Sequence, residues 1–329
     1  MSNKTEIEEP WVYGNELQGR GEATRFDRLN GFLILSMAST AIILGIWNLV
    51  LIKKMKIFHN AFGWFWASRT IGEVGLNISS LCYGATVVIL QPKEIPVQLA
   101  FAVFTVGYLF GCEACVMHQF VSLNRFIAVL FPIRYKFIFT SRVCKIIIML
   151  CWAQVTVVQG LYYVFPCNMI GFSAKYYEYV FVKCRPDLDR DYSLVGTFVN
   201  RLCFVICTGT LILDVITLVR IIYISKFMTA RMSKNFERDV RFFAQTSIQN
   251  VTMVMALFLV VKVNNSVSST EPWVKAIAFQ SFILTSITNA LALIFFNPEV
   301  RQRYGIRLPF ARSPATSHLS NSNSSVVKT

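Results

Sequence analysis

Seven long apolar stretches divide this chain, and they constrain its fold more than any other feature of the sequence. A helix needs roughly 20 mostly apolar residues to cross the hydrocarbon core of a bilayer. Two stretches, 95–124 and 192–219, contain isolated charges, whereas five contain no Asp, Glu, Lys or Arg: 29–52, 74–92, 146–174, 242–261 and 276–298. The sequence therefore predicts an all-α membrane protein, a bundle of seven transmembrane helices over residues 29–298.

The composition agrees with the bilayer as the solvent. Of the 329 residues, 54% are hydrophobic and only 15% are charged, against about 25% charged residues in an average soluble protein. The net charge of +14 arises from basic residues in short clusters between the apolar stretches, and no periodic basic face is visible. This pattern disfavours nucleic-acid binding.

The histidines argue against catalytic chemistry. His59, His118 and His318 are widely separated in the sequence, and a membrane-embedded enzyme would need a paired acid and base or a metal cluster. We therefore expect no enzyme activity, no cofactor and no metal site. His118, on an apolar helix, is predicted to be a hydrogen-bonded core residue.

Orientation follows from Lys and Arg in the short loops, because these residues favour the cytoplasmic side. They are more frequent in the segments after the first, third, fifth and seventh stretches than in the other segments. We expect a multi-pass plasma-membrane protein with an extracellular N-terminal tail, residues 1–28, and a cytoplasmic C-terminus. Asn3, in an Asn-Lys-Thr sequon, is the expected glycosylation site. Residues 309–329, rich in Ser, Thr and Asn, are predicted to form a disordered cytoplasmic tail.

An arginine stands where the third stretch ends, in NRFIAVLFPIRY, residues 124–135. The bias of basic residues toward the cytoplasm would by itself explain Arg125. The surrounding residues, however, resemble the third-helix signature of rhodopsin-like G-protein-coupled receptors. That resemblance implies a switch for activation and G-protein coupling formed by Asn124, Arg125, Phe126, Pro132, Ile133 and Tyr135.

The switch departs from the family pattern at one position. Asn124 stands where the family has an acid beside the arginine. An amide can hydrogen-bond Arg125 but carries no charge, so we expect a weaker resting lock unless another acid contributes.

A second resemblance to these receptors lies in NALALIFFNPEVR, residues 289–301. Asn289 takes the place of the asparagine in the seventh-helix motif, and residues 299–308 are expected to form the short amphipathic helix 8. Asn48 stands where the family has an intramembrane asparagine in the first helix. A helix-to-helix hydrogen bond explains either asparagine as well as a switching role does.

Over the range from the first stretch to Arg301, the chain is similar to the nematode serpentine chemoreceptors, most closely class X. Besides the motifs above, the similarity includes ERDVRFFAQTSIQ at the start of the sixth stretch and a cysteine pair in the second outer loop. It implies a chemosensory receptor for a small molecule or peptide that activates a heterotrimeric G protein. A receptor kinase or arrestin would act through the Ser/Thr-rich tail.

The alternative is a small multipass transporter or channel, in which charges within the spans would form a path. Glu113 lies near the middle of the third span, and Arg201 and Asp214 lie in the fifth. A charge in hydrocarbon costs at least about 2.5 kcal/mol, so each needs a partner or a function.

For a receptor, the same charges suggest a ligand site and an interior network. Glu113, with Arg201 as its partner, could face a ligand, and Tyr108 could line the same pocket. Glu73 follows Arg69 by four residues and could pair with it along the second span. The predicted intramembrane polar network consists of Asn48, Glu73 and Asp214.

The cysteine pattern differs from the one usual in rhodopsin-like receptors, where a disulfide joins the outer end of the third helix to the second outer loop. This chain has no cysteine between Cys82 and Cys112, so that bridge is absent. Cys167 and Cys184 both fall in the second outer loop and could close it on itself in an oxidising compartment. Two unrelated buried thiols are the alternative.

Overall fold

The computed structural model describes residues 11–227, 234–265 and 271–303. Within these ranges, seven helices are long and apolar enough to cross a membrane, which confirms the predicted seven-helix fold. We label them in chain order: α1 Arg25–Lys54, α2 Ala61–Leu90, α3 Val97–Leu130, α4 Ser141–Val164, α5 Leu194–Phe227, α6 Lys234–Asn265 and α7 Pro272–Phe296.

Side-chain caps fix where the first two helices begin. At the start of α1, Thr24 and Asp27 form a capping box: the Asp27 amide donates to the Thr24 hydroxyl at 3.1 Å, and the Thr24 amide donates to the Asp27 carboxylate at 2.8 Å. At the start of α2, the Gly63 amide donates to the side chain of Asn60 at 3.1 Å. These bonds satisfy amides that have no partner within the first turn of a helix.

α2 begins at Ala61, so the uncharged apolar stretch 74–92 covers only the later part of this helix. The stretch does not extend back to Ala61 because Arg69 and Glu73 interrupt it. Their side chains form an ion pair at 2.9 Å inside the bundle, where neither charge meets lipid. A π-helical turn, Ser80–Ala85, lies near the other end of α2.

α4 ends at Val164, so the fourth apolar stretch, residues 146–174, continues past the end of the helix. The chain beyond it forms an antiparallel hairpin, β1 Ile170–Ser173 and β2 Glu178–Phe181, where no strand was predicted. Apolar residues of β1 such as Phe172 are buried against the bundle, which is why the fourth apolar stretch continues into the hairpin. We call this end of the bundle the hairpin end.

A disulfide joins Cys167 and Cys184, the two cysteines that flank the hairpin, across a sequence separation of 17 residues. Closing a loop of this length removes conformational freedom from the unfolded chain, which stabilises a folded domain by about 3 kcal/mol in the loop-entropy estimate. The bridge therefore holds the two strands at the hairpin end as one unit.

Residues 11–24 of the predicted N-terminal tail pack on the hairpin end instead of extending into solvent. Leu17 is fully buried. The Gly19 amide donates to the Pro92 carbonyl at 2.8 Å, and the Ser173 hydroxyl donates to the Glu16 carbonyl at 2.7 Å. α1 begins at Arg25, four residues before the first apolar stretch.

The carboxylate of Asp27 ties four parts of the chain together at this end. It is fully buried and accepts hydrogen bonds from Arg20 at 2.7 Å, from Gln91 at 3.0 Å and from the Tyr177 hydroxyl. The N-terminal segment, α1, the end of α2 and the hairpin turn therefore share one buried anion.

At the opposite end, which we call the arginine end, a short helix, Pro132–Ile138, connects α3 to α4. It presents two large apolar side chains, since Ile133 is 81% exposed and Phe137 is 79% exposed. After α7, a terminal helix Pro298–Arg303 occupies the beginning of the predicted helix 8. The predictions for Asn3, for residues 304–308 and for the tail 309–329 lie outside the described residues.

Glycines allow α2 and α3 to pack closely. A Cβ atom on Gly72 would lie 2.7 Å from the Phe110 carbonyl oxygen and 2.9 Å from the Ala114 amide nitrogen, both in the backbone of α3. Backbone atoms cannot move aside as a flexible side chain can. Small residues at helix interfaces are a general means of close approach in membranes, where packing replaces the hydrophobic driving force.

We expect Gly72→Ala to lower the free energy of unfolding by about 1–3 kcal/mol, because the added methyl overpacks the α2–α3 interface. Thermal unfolding of the purified protein in detergent measures this change. Gly160→Ala in α4 is the matched control, since a Cβ atom there meets nothing within 4 Å. A Gly72→Ala protein that is as stable as the Gly160→Ala protein would contradict the packing argument.

Candidate functional site

A cavity of about 170 Å³ opens between α2, α3, α5, α6, α7 and the hairpin. Its walls are mostly apolar, and an engineered apolar cavity of about 150 Å³ is known to bind benzene. The space therefore accommodates a small ligand. The apolar lining residues are Leu76, Phe104, Met253, Leu257, Phe279, Phe282 and Ile283.

An ion pair stands where the hairpin meets the cavity. The ammonium of Lys275, in the first turn of α7, lies 2.7 Å from the carboxylate of Glu178 in β2, and both residues line the cavity. Lys275 also lies 4.8 Å from the centre of the Tyr176 ring. Burial raises the pKa of the Glu178 carboxyl, and the hydrogen bond and charge of Lys275 offset part of that rise. Mild acid therefore weakens this ion pair sooner than it would protonate an ordinary glutamate.

Tyr108 lines the cavity, as the sequence predicted for a ligand-site residue. Its hydroxyl donates to the Asn200 side chain of α5 at 3.3 Å. Its ring stacks on Phe104, with 4.9 Å between centroids, and meets Tyr162 of α4 edge-on at 5.8 Å. Tyr108 thus joins the cavity to both α4 and α5.

The other two residues predicted for the ligand site lie elsewhere. The carboxylate of Glu113 accepts a hydrogen bond from the Ser68 hydroxyl of α2 at 2.8 Å, and the Trp152 indole of α4 donates to the same hydroxyl at 3.1 Å. Arg201 is exposed on α5. Neither Glu113 nor Arg201 lines the cavity, so the predicted pairing between them does not occur in the structure.

Glu73 connects the cavity to a buried network of polar side chains. It lines the cavity, pairs with Arg69 of the same helix, and accepts a hydrogen bond from the side chain of Asn289 in α7. The guanidinium of Arg69 also donates to the Gln249 side chain of α6 at 3.0 Å. Gln249 in turn donates to the Asn289 carbonyl at 3.2 Å. One ion pair thus fastens α2 to α6 and α7.

A second branch of this network links α3, α5 and α6. His118 Nε2 lies 4.0 Å from the Glu73 carboxylate, and its Nδ1 lies 3.2 Å from the Asn250 side-chain oxygen. The Asn250 amide donates to Asp214 of α5 at 2.7 Å and to the Ser122 hydroxyl of α3 at 2.6 Å. Glu73 and Asp214, two residues of the predicted network, are therefore connected through His118 and Asn250.

Asn48 attaches α1 to the same region. Its side-chain amide donates to the backbone carbonyl of Ala290, next to Asn289, at 3.3 Å. Asn48 and Asn289 are both buried. The structure thus joins all three predicted network residues through a connected set of partners. In this set, α7 accepts hydrogen bonds from α1 and α6 and donates one to α2.

At the arginine end, Arg125 is buried, although it is the most polar side chain of the predicted switch. Its guanidinium donates to the Asn124 side-chain oxygen at 2.9 Å. It also stacks over two aromatic rings, 4.1 Å from the centre of Phe62 of α2 and 5.1 Å from the centre of Phe242 of α6. The rings of Phe62 and Phe242 stack on each other at 4.6 Å. Arg125 therefore holds the ends of α2, α3 and α6 together.

The remaining switch residues surround this contact. The Asn124 amide donates to the Tyr135 hydroxyl at 3.2 Å, so the short helix is tied back to α3. Phe126 is half-buried, whereas Pro132 and Ile133 are exposed. The arrangement leaves an apolar surface beside a buried arginine.

Sequence reasoning missed Gln249 and Asn250, the two amides of α6 that connect the network. A signal was present, because Gln245, Thr246, Gln249 and Asn250 recur at helical spacing within an apolar span. It also missed the spacing Cys-x-x-Cys at Cys112 and Cys115 of α3. Among the described residues, no group of three His, Cys, Asp or Glu side chains could hold a metal ion.

Comparison with known proteins identifies one family. The family model described as serpentine type 7TM GPCR chemoreceptor Srx matches residues 36–297. The chain is also 24% identical, over 259 residues, to serpentine receptor class X-43 of Caenorhabditis elegans, an alignment that covers 75% of this chain and 73% of that receptor. The match spans all seven helices except the first turns of α1.

The Arg69–Glu73 pair provides a test of the network. We expect Arg69→Met to destabilise the protein by about 3–5 kcal/mol, because it leaves the Glu73 carboxylate buried without its partner. The double variant Arg69→Met/Glu73→Gln should recover much of this loss, since a glutamine oxygen still accepts from Asn289. Thermal unfolding of the two single variants and the double variant measures the coupling. If the loss of stability in the double variant equalled the sum of the losses in the two single variants, Arg69 and Glu73 would not be coupled.

Proposed function

Because the chain belongs to the Srx family of serpentine seven-transmembrane chemoreceptors, we propose that it senses a small molecule or peptide in the cavity and activates a heterotrimeric G protein. The observation that carries this proposal is the continuity of contacts from the cavity to Arg125. Glu73 lines the cavity and bonds to the network, and α6 takes part both in the network and in the stack around Arg125.

The cavity supports the ligand-binding part of the proposal. Its walls come from five helices and the hairpin, and polar groups lie at both ends: the Glu178–Lys275 pair at one and Glu73 at the other. Sites for small ligands are commonly apolar with a few placed polar groups. A ligand that displaces α6 or α7 beside the cavity changes the hydrogen bonds made by Gln249 on α6 and Asn289 on α7.

The arginine end supports the coupling part. A ligand changes activity only if it binds two conformations with different affinity. The resting arrangement is the closed stack of Arg125, Phe62 and Phe242. Moving α6 outward breaks this stack, and the guanidinium then offers its five donors to a partner that approaches beside Ile133.

The orientation and location belong to the same proposal. The excess of Lys and Arg in the segments at the arginine end supports a cytoplasmic position for that end, in the plasma membrane. The N-terminus and the hairpin would be extracellular, with a glycan on Asn3, and the disulfide between Cys167 and Cys184 suits an oxidising compartment. A receptor kinase and arrestin would act on the receptor through the Ser/Thr-rich tail.

The transporter or channel alternative depends on a path of charges through the membrane. Glu113 bonds to Ser68, Asp214 bonds to Asn250, and Arg201 is exposed on α5. None of these three residues lines the cavity described above. The geometry therefore favours the receptor.

Substitutions at the arginine end test coupling. We expect Arg125→Ala to reduce basal nucleotide exchange at least about tenfold, because a charge-assisted hydrogen bond contributes about 1.5–3 kcal/mol. Asn124→Asp should also lower basal exchange, since a carboxylate holds the guanidinium more strongly than an amide does. The measurement is GTP-analogue binding by a panel of heterotrimeric G proteins with the receptor in nanodiscs. Arg142→Ala, at an exposed arginine in the first turn of α4, is the matched control.

Two outcomes would count against this proposal. One is basal exchange in the Arg125→Ala protein equal to that of the Arg142→Ala protein at the same expression level. The other is a solute or ion flux that persists in Arg125→Ala proteoliposomes, which would favour the transporter or channel.

Epitope tags before Met1 and after Thr329 test the orientation. We expect the first tag to stain on intact cells and the second only after permeabilisation, because the Lys- and Arg-rich segments favour the cytoplasm. If the N-terminal tag stained only after permeabilisation, or both tags lay on one side, Arg125 could not contact a cytoplasmic G protein.

A further inference from the structure

Four thiols meet where α3 faces α5 beside the cavity. Cys112 and Cys115 lie one helical turn apart on α3, and Cys203 and Cys207 lie one turn apart on α5. All four are free thiols. The sulfur atoms of Cys115 and Cys207 are 3.6 Å apart, and Cys203 packs against the buried apolar clusters that contain Cys112 and Cys115. We call these four residues the thiol cluster.

The thiol cluster is open to the cavity. Cys112, Cys115 and Cys203 line it, and Cys203 is the least buried of the four. Cysteines that serve only as small apolar side chains have no need to contact one another or to face an open space. The position of Cys203 therefore makes its sulfur accessible to a molecule within the cavity.

Hydrogen-bond donors line the cavity together with Cys203. They are the thiols of Cys112 and Cys115 and the hydroxyl of Tyr108. The Tyr108 hydroxyl donates to Asn200 in the structure, and by turning from Asn200 it can donate to a carbonyl oxygen of a molecule placed beside Cys203. A nucleophile with a donor aimed at the oxygen where negative charge develops is the arrangement that favours addition to a conjugated carbonyl.

We propose that Cys203 is a covalent capture site for small soft electrophiles of the α,β-unsaturated aldehyde class. In the capture step, the Cys203 sulfur forms a bond to the β-carbon while the carbon–carbon π bond breaks. The negative charge passes to the carbonyl oxygen near Tyr108, and the proton lost from the thiol ends on the α-carbon. Atoms and electrons balance without an oxidant or a reductant. The signalling consequence of capture rests on the proposed receptor function, whereas the capture itself does not.

The size and polarity of the cavity agree with this class. A volume of about 170 Å³ with mostly apolar walls fits a short aliphatic chain with one carbonyl group. Lys275, the amine that lines the cavity, is held in its ion pair with Glu178, which leaves sulfur as the nucleophile at the centre of the site.

The full-length protein in nanodiscs is treated with 2-hexenal, and hexanal, which lacks the conjugated double bond, is the matched control compound. After borohydride reduction, peptide mass spectrometry locates the adducts. We expect about tenfold more adduct on Cys203 than on Cys82, an exposed thiol of α2 outside the cluster. Cys203→Ala should lose the adduct, while Cys82→Ser should keep it. An adduct absent from Cys203, no greater there than on Cys82, or found chiefly on Lys275 would overturn the inference.

Nucleotide exchange by G proteins, measured on the same samples, separates this inference from the proposed function. Exchange that changes with 2-hexenal but not with hexanal, and only when Cys203 is present, supports both. An adduct on Cys203 without any change in exchange supports capture and contradicts the role of the cavity in signalling. Because the adduct is mapped on the wild-type chain, the test holds even if Cys203→Ala fails to fold.

Discussion

The ion pair between Arg69 and Glu73 is the interaction on which the arrangement of the helices depends. Two charges within a membrane-spanning segment are stable only if each finds partners inside the bundle, because lipid offers none. Arg69 finds Glu73 and Gln249, and Glu73 finds Asn289. Gln249 lies on α6 and Asn289 lies on α7, so satisfying the two charges fixes α2 against these two helices.

The same hydrogen bonds stabilise one arrangement of the helices and couple the helices to one another when the arrangement changes. Hydrophobic packing alone discriminates weakly between neighbouring arrangements of helices, whereas hydrogen bonds between buried amides and carboxylates have few alternatives. His118 and Asn250 extend the set of partners to α3 and α5. A change in the position of α6 therefore has to exchange several bonds together, which favours two discrete states over a continuous deformation.

The number of spans followed from the sequence because hydrocarbon imposes a length on every apolar stretch. The boundaries were less predictable. Residues 61–73 fell outside the uncharged second stretch because Arg69 and Glu73 interrupt the apolar sequence there. Residues 165–174 fell inside the fourth stretch because a hairpin buried on the bundle is as apolar as a helix in lipid. The N-terminal segment was taken as a tail because Arg20 and Asp27 find their partners only in the folded hairpin end.

The candidate site was predicted in part. Asn48, Glu73, Asp214 and Asn289 have the partners expected of interior polar residues, and Tyr108 lines the cavity. Glu113 and Arg201 do not meet, because the direction in which a helical residue points depends on packing that sequence spacing does not contain. Gln249 and Asn250 went unnoticed since attention to formal charge overlooks neutral amides, even though these carry the connections between helices.

The buried carboxylate of Asp27 has a consequence for how the protein is made. It lies at the start of α1, yet the Tyr177 hydroxyl that completes its bonds is 150 residues further along the chain. During synthesis, α1 through α4 enter the membrane before the hairpin exists, and Asp27 must then be solvated by water or lipid head groups. Docking of the hairpin thus completes the bonds of Asp27, and a nascent chain that stops short of the hairpin lacks the Tyr177 hydroxyl that donates to this carboxylate.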